Sequence, residues 1–135
     1  MAHSLAPTGA CRLTRVSGLL LDHYLHNTGR MLATVPAQQS PFLTHIIPLA
    51  NVEDLLMHSV LALGGTHLAF IKDNDIDIQA ATLQHYLAAL HGLRGKLESW
   101  SKWDADKTSN LLLVLILLCH YEVASSISFM PSSVI

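Results

Sequence analysis

The sequence predicts an all-α protein of four to five helices arranged as antiparallel pairs. Half of the 135 residues are apolar and only 13% are charged, a balance that favours a folded core over disorder. The apolar residues are mostly leucine and alanine, which favour helices, and aromatic residues make up only 6%. Apolar residues also recur every three or four positions, which is the spacing of one helix face.

The first helix is predicted over residues 13–33. Its apolar stripe consists of Leu13, Val16, Leu20, Tyr24, Thr28 and Met31, and the opposite side carries Asp22, His23, His26 and Arg30. A polar connection over residues 36–41 contains two prolines and should separate this helix from the next. Pro41 suits a first helical turn, and we expect Pro48 to close the short apolar segment 42–47.

The next helix is predicted to be amphipathic, with Asn51 as its N-cap and Lys72 near its end. Its apolar stripe consists of Leu55, Leu56, Val60, Leu63, His67, Phe70 and Ile71. Because His67 lies on this stripe, we expect its ring to have a hydrogen-bond partner in the core. The glycines at 64 and 65 are small enough to let helices approach closely, and residues 73–75 predict a turn followed by a new cap.

A further helix is predicted over residues 76–100. Its apolar stripe consists of Ile76, Ala80, Leu83, Leu87, Leu90 and Leu97. Gly92 and Gly95 weaken a helix by about 1 kcal/mol each relative to alanine, so we expect either a close helix contact or fraying there.

The last helix is predicted to start between residues 104 and 108 and to end at Val123. It is apolar around its whole circumference over residues 111–119, and such a helix needs partners on all sides. This run of nine residues is shorter than the roughly 20 needed to span a bilayer, so a buried helix is the expected reading. Serines and Pro131 then predict an irregular tail over residues 124–135, and nothing near the N-terminus resembles an export signal.

Charge and cysteine content exclude several functions. The net charge is −2 and the eight basic residues are scattered singly, so we expect no direct contact with nucleic acid. Cys11 and Cys119 are too few for a disulfide framework or a zinc cluster, and they indicate a reducing compartment.

For each candidate metal or catalytic site, a purely structural role of the residues is the better explanation. His23 and His26 are three residues apart and are the one histidine pair with chelating geometry, but two ligands do not make a metal site. Cys119 and His120 are adjacent and so point about 100° apart on a helix, which suits no catalytic dyad. We expect Cys119 to be a buried apolar filler and Glu122 a surface charge, and we predict no catalytic, cofactor, metal or DNA-binding residue.

The aspartates at 73, 75 and 77 alternate like the start of a calcium loop but lack its glycine and its distal glutamate. Turn chemistry is therefore the expected role of these three residues. His85 and His91, six residues apart on one predicted helix, do not form a chelating pair.

A series of short segments, in this order, resembles the fungal-specific transcription factor domain. The segments are residues 20–24 (LLDHY), 41–43 (PFL), 47–50 (IPLA), 55–56 (LL), 59–63 (SVLAL), 67–69 (HLA), 85–86 (HY), 88–90 (AAL), 93–94 (LR), 111–119 (LLLVLILLC) and 121–123 (YEV). The resemblance implies a nuclear regulator of RNA polymerase II genes in which a separate binuclear zinc cluster reads DNA. That cluster needs six cysteines in a compact basic segment, which this sequence lacks.

The resemblance also implies a division of the chain. We expect a flexible segment over residues 1–17, a partial regulatory domain over residues 18–123 and the Ser-rich tail over residues 124–135. In the family the helical region continues with a Gly-Asp-Thr stretch and a tryptophan, which do not follow Val123 here. We therefore expect this chain to be a fragment of a larger helical regulatory domain, cut at both ends.

The expected function is a regulatory, protein-interaction role in transcription, without enzymatic activity and without a DNA-binding zinc cluster in this chain. Protein partners or self-association through exposed apolar helix faces would mediate it, with no membrane contact and no cofactor. A nuclear location follows from the resemblance alone. The alternative is a stand-alone helical protein that binds an apolar ligand or a partner helix. A small helical enzyme is a third class, for which the sequence offers no catalytic constellation.

Overall fold

The computed structural model describes residues 13–73, 75–98 and 105–128, and every regular element in these ranges is helical. The elements are α1 (Arg15–His23), a π-helical segment (Tyr24–Thr28), α2 (Gly29–Met31), a 3-10 turn (Ala37–Gln39), α3 (Pro41–Thr44), α4 (Ile46–Ala50), α5 (Asp54–Ile71), α6 (Ile76–Glu98) and α7 (Ala105–Ser128). The predicted all-α class is confirmed. Of the expected flexible segment 1–17, residues 1–12 lie outside the described residues.

The first helical stretch begins at Arg15, where the Thr14 hydroxyl accepts a hydrogen bond from the Ser17 amide at 3.1 Å. The stretch extends to Met31, as predicted, but it widens into the π-helical segment after His23. His23 is buried beside Tyr24 because it follows the buried Leu20 by three residues, which places all three side chains on one face of the helix. The prediction that His23 lies on the polar side was therefore wrong.

Short helices α3 and α4 connect this stretch to the core. Pro41 begins α3, as predicted. Pro48 does not close the segment, because it lies in the first turn of α4, where a missing N–H costs nothing. Asn51 is the C-cap of α4 and not the N-cap of α5: its amide donates to the Ile47 carbonyl at 3.2 Å, and Glu53 precedes α5 without a side-chain cap.

Helix α5 is the centre of the fold, and α1, α6 and α7 all pack against it. The amphipathic pattern predicted for α5 was wrong, because almost every residue from Leu55 to Leu68 is buried. The glycines act as predicted: a Cβ built on Gly64 would lie 2.6 Å from the Leu20 carbonyl oxygen, and one on Gly65 would overlap the Thr82 hydroxyl. Helices α1 and α6 can approach α5 closely because these two positions carry no side chain.

Helix α6 turns its small residues toward α5. Ile78, Thr82 and Ala89 are buried, and a Cβ on Gly92 would lie 3.1 Å from Leu55 Cδ1. The leucine stripe predicted as the packing face therefore faces outward, since only the small-residue side fits against Gly65. The close contact predicted at Gly92 is confirmed, whereas Gly95 has open space around it.

Helix α7 packs on α5 through one side only, using Val114, Leu117, Leu118 and Tyr121. It begins within the predicted range but continues through Ser128, so the break expected after Val123 was placed too early. The serines at 125 and 126 remain inside the helix, where local propensity is outweighed by continuation of the regular backbone. Residues 129–135 of the expected tail, and Trp100 and Asp104, lie outside the described residues.

Candidate functional site

The outer stripe of α6 is an exposed row of apolar residues along the whole helix. It consists of Ile76, Ala80, Leu83, Leu87, Leu90 and Leu97, and its five large members are 38% to 75% exposed. The intervals between successive stripe positions alternate between four and three residues once Arg94, which lies between Leu90 and Leu97, is included. This is the heptad spacing of a coiled-coil seam, sustained here over three heptads.

The residues that flank the outer stripe are nearly uncharged. They are Asp77, Gln79, Gln84, Tyr86, His91, Leu93 and Glu98, so that the two acids lie at opposite ends of the helix. Arg94 forms an exposed ion pair with Glu98 at 3.4 Å within the same helix. In coiled coils, flanking charges select between partners, and here almost none are present to do so.

Helix α7 carries a second exposed apolar face. Leu112, Leu115, Ile116 and Val123 are 42% to 62% exposed. Cys119 is also exposed, so its predicted role as a buried filler was wrong. The prediction of residual exposed apolar surface is confirmed, because α5 covers only one side of α7 and the described residues provide little else to cover the rest.

Within the described ranges, two helices are long and apolar enough to cross a membrane by length and composition. One is the core helix Asp54–Ile71, of which 67% is buried, and the other is the span Lys107–Ser126, of which 28% is buried. Burial inside the protein accounts for the apolar character of the first. The second is the same partly covered helix α7, and its composition is equally suited to a protein partner.

A cavity of about 360 Å³ lies where the π-helical segment, the end of α5 and α7 meet. Its lining is mostly apolar and consists of His23, Asn27, Met31, Thr66, His67, Phe70, Ile71 and Ala124. Met31, Phe70 and Ile71 were predicted to face the core but are exposed, since they form the wall of this cavity.

Two histidines line the cavity. His67 Nδ1 lies 3.1 Å from the Thr28 hydroxyl oxygen, which confirms the predicted core partner for this ring. Burial lowers the pKa of His67, and the neighbouring His23 and His120 lower it further. His23 is 7% exposed, and its Nε2 atom is buried without a hydrogen-bond partner. Burial lowers the pKa of His23 against the opposing effect of Asp22, so both rings are neutral near pH 7.

A hydrogen-bonded chain of three side chains connects α1, α5 and α6. The Ser17 hydroxyl lies 2.7 Å from His85 Nε2, and His85 Nδ1 lies 2.9 Å from His58 Nδ1. Burial, reinforced by His58, lowers the pKa of His85 to about 4. Burial also lowers the pKa of His58, with Asp54 acting in the opposite direction. Sequence reasoning missed this chain because its members are 27 and 68 residues apart.

One polar contact joins α6 to α7. The Tyr86 hydroxyl donates to the Glu122 carboxylate, and the Tyr86 ring stacks on Tyr121 with centroids 4.1 Å apart. The hydrogen bond to Glu122 raises the pKa of Tyr86 to about 12. Glu122 is exposed, as predicted for a surface charge, and it is paired with Tyr86.

The remaining candidate residues have structural partners. His26 contacts Asp22 at 3.1 Å while His23 is held by Asn27, so the two histidines do not converge. Asp75 caps α6 by accepting a hydrogen bond from the Ile78 amide at 3.1 Å, which confirms its predicted role. Cys119 and His120 do not converge, because His120 Nδ1 bonds to the Ile116 carbonyl at 2.8 Å. Across the described ranges, no three His, Cys, Asp or Glu residues are grouped so that they could hold a metal ion.

Comparison with known proteins gives one match. The family model described as the fungal specific transcription factor domain matches residues 19–128, which is most of the chain. Searches of curated proteins and of solved structures found no match.

Proposed function

The chain belongs to the family of fungal-specific transcription factor domains, and from this premise we propose that it regulates transcription by pairing with a second copy through the outer stripe of α6. The family is regulatory and non-enzymatic, which gives this chain a regulatory role in transcription. We further propose that it acts in the nucleus and through protein contacts, with DNA read by another module. Its net charge of −2 and its scattered basic residues support the last point.

The outer stripe is the observation that carries the proposal. A 23-residue helix that exposes apolar residues at heptad spacing leaves a seam for another helix to cover. About half of the surface of each large side chain is exposed. Burying that half in a dimer contributes about 1 kcal/mol of favourable free energy per residue. Ten such side chains in a pair contribute about 10 kcal/mol against an association cost of about 4–15 kcal/mol. A cost near the lower end leaves about 6 kcal/mol, so we expect a dimer with a dissociation constant of roughly tens of micromolar or weaker.

The flanks of the stripe favour a second copy over a different partner. Two identical helices can lie side by side only if their flanking residues do not repel. Here the flanking residues Gln79, Gln84 and Leu93 carry no charge, and the acids Asp77 and Glu98 are 21 positions apart. Arg94 interrupts the seam at one position, and such a polar seam residue fixes the register of a pair at some cost in stability.

Sedimentation velocity across a concentration series tests this proposal on the full chain. The native chain is compared with the double variant Leu83→Glu/Leu87→Glu, which places two charges on the stripe. The matched control is Gln38→Glu/Gln39→Glu, which adds two carboxylates at exposed positions outside α6. Circular dichroism verifies that all three chains remain helical.

We expect the native chain to shift from monomer to dimer as the concentration rises. The stripe variant should remain monomeric to concentrations at least about tenfold higher, because two buried charges cost more than the seam gains. The control should retain most of its association. A native chain that stays monomeric throughout, or a stripe variant that dimerises like the native chain, overturns the proposal.

A further inference from the structure

We infer that the cavity beside His23 binds a neutral apolar molecule of one or two rings that carries a single hydrogen-bond acceptor, such as a ketone. The inference concerns a different surface from the outer stripe of α6, and it does not depend on self-association. It combines the size and lining of the cavity with the unpaired nitrogen of a buried ring.

The dimensions of the cavity set the size of the ligand. Its volume is about 360 Å³, within the roughly 300–1,000 Å³ range typical of sites for small molecules. Apolar cavities of about 150 Å³ hold a benzene ring, so this cavity has room for about two rings. Met31, Phe70 and Ile71 supply an apolar wall that is otherwise exposed to water. A ligand that covers these side chains removes them from solvent.

The hydrogen bonds of His23 set the chemistry of the ligand. The amide nitrogen of Asn27 lies 3.3 Å from His23 Nδ1, and an amide nitrogen can only donate. His23 Nδ1 is therefore the acceptor, and the proton of the neutral ring is on Nε2. That N–H is buried and has no acceptor among the described residues, which is an unfavourable arrangement.

The other polar side chains of the lining are Asn27, Thr66 and His67. His67 Nδ1 pairs with the Thr28 hydroxyl, so it does not need a ligand atom. One acceptor atom, placed at the His23 ring by a small rotation that turns Nε2 toward the cavity, pairs the one side-chain atom of the lining that is buried without a hydrogen-bond partner. A neutral carbonyl oxygen fits better than a carboxylate, because the lining offers no basic side chain to pair with a negative charge.

Isothermal titration calorimetry with two probes of the same shape tests the inference. The first probe is 2-acetylnaphthalene, and the second is 2-isopropenylnaphthalene, in which a methylene group replaces the carbonyl oxygen. Nitrogen-15 spectra of the imidazole rings report on the Nε2 proton of His23 in the same samples. His23→Phe removes the donor while keeping a ring in place, and His91→Phe makes the same change at an exposed residue outside the cavity.

We expect both probes to bind the native chain and the ketone to bind about threefold to tenfold more tightly, as one added hydrogen bond provides. The ketone alone should shift the His23 ring signals. His23→Phe should make the two affinities equal, whereas His91→Phe should leave their ratio unchanged. Equal affinities in the native chain, or no binding of either probe at millimolar concentration, overturns the inference. The comparison of probes on the native chain holds even if His23→Phe does not fold.

Discussion

Helices α5 and α6 are both rich in leucine and alanine, yet they differ in how much of their leucine is buried. Helix α5 is buried on nearly all sides, whereas α6 exposes its leucines and buries Ile78, Thr82 and Ala89. Two adjacent glycines account for the difference, because they let α1 and α6 come close enough to cover α5 from two sides. At such short distances only the small residues of α6 fit. The outer stripe of α6, which carries most of its leucines, therefore remains exposed and available to another molecule.

Filling the glycine contact should have the largest effect. Gly65→Leu places a side chain where the Thr82 hydroxyl lies, and relief requires α6 to move away from α5. We expect a loss of about 3 kcal/mol or more in the free energy of unfolding, measured by urea denaturation. Gly95→Ala, with open space at its Cβ, should instead stabilise α6 by up to about 1 kcal/mol. Similar losses in both variants would contradict the close-contact account.

The second-largest effects should come from leucine truncations, which should cost much more stability on α5 than on the outer stripe of α6. Leu61 is completely buried on α5, so Leu61→Ala should cost about 2–5 kcal/mol of stability. Leu83 is half exposed on the outer stripe, so Leu83→Ala should cost under about 1 kcal/mol in dilute, monomeric protein. Thermal unfolding monitored by circular dichroism measures both. A Leu83→Ala loss equal to that of Leu61→Ala would place the stripe in the core.

Acid should weaken the contact of α6 with α1 and α5 through His85. Below the ordinary histidine pKa of 6.5, the unfolded chain takes up a proton that folded His85 accepts only near pH 4. The stabilisation is therefore complete above about pH 6.5 and declines as the pH falls toward 4. Allowing for partial exposure, we expect His85 to account for roughly 1–2 kcal/mol.

Urea denaturation at several pH values measures this decline. His85→Gln should reduce the decline in the free energy of unfolding with falling pH. The reduction should be partial, because burial also lowers the pKa values of His23, His58 and His67. His91→Gln, an exposed change on the same helix, is the control and should keep the native slope. A His85→Gln slope identical to the native one would show that His85 is not the residue responsible.

The smallest effect should come from the contact between α6 and α7. Tyr86→Phe removes the hydroxyl that donates to Glu122 and keeps the stacking on Tyr121. Because the contact is exposed, we expect a loss of about 0.5 kcal/mol in unfolding experiments. The raised pKa of Tyr86, about 12, should appear in an ultraviolet titration of the phenol groups, and Glu122→Gln should lower it. No change in that titration would show that the two side chains are not paired.

The sequence was sufficient to predict the helices, the turn at Asp75 and the close approach at Gly64 and Gly65, because local spacing determines each of them. It was not sufficient to choose which face of α6 packs, since periodicity shows that a stripe exists but not what covers it. The π-helical segment carries no recognisable pattern. His23 follows Leu20 by three residues and lies on the buried side, so the predicted polar side of this helix was too wide. The chain of Ser17, His85 and His58 depends on distant segments meeting, which no local signal encodes.

Thiol accessibility on the two faces of α6 tests the central claim most directly. In a background with Cys11→Ser and Cys119→Ser, Leu87→Cys reports on the outer stripe and Ala89→Cys on the face against α5. At low concentration, Leu87→Cys should react rapidly with a thiol reagent, and raising the concentration into the dimer range should slow it. Ala89→Cys should react slowly at every concentration. The account would be contradicted if, in dilute protein, Ala89→Cys reacted rapidly and Leu87→Cys slowly. It would also be contradicted if the reaction rate of Leu87→Cys did not depend on protein concentration.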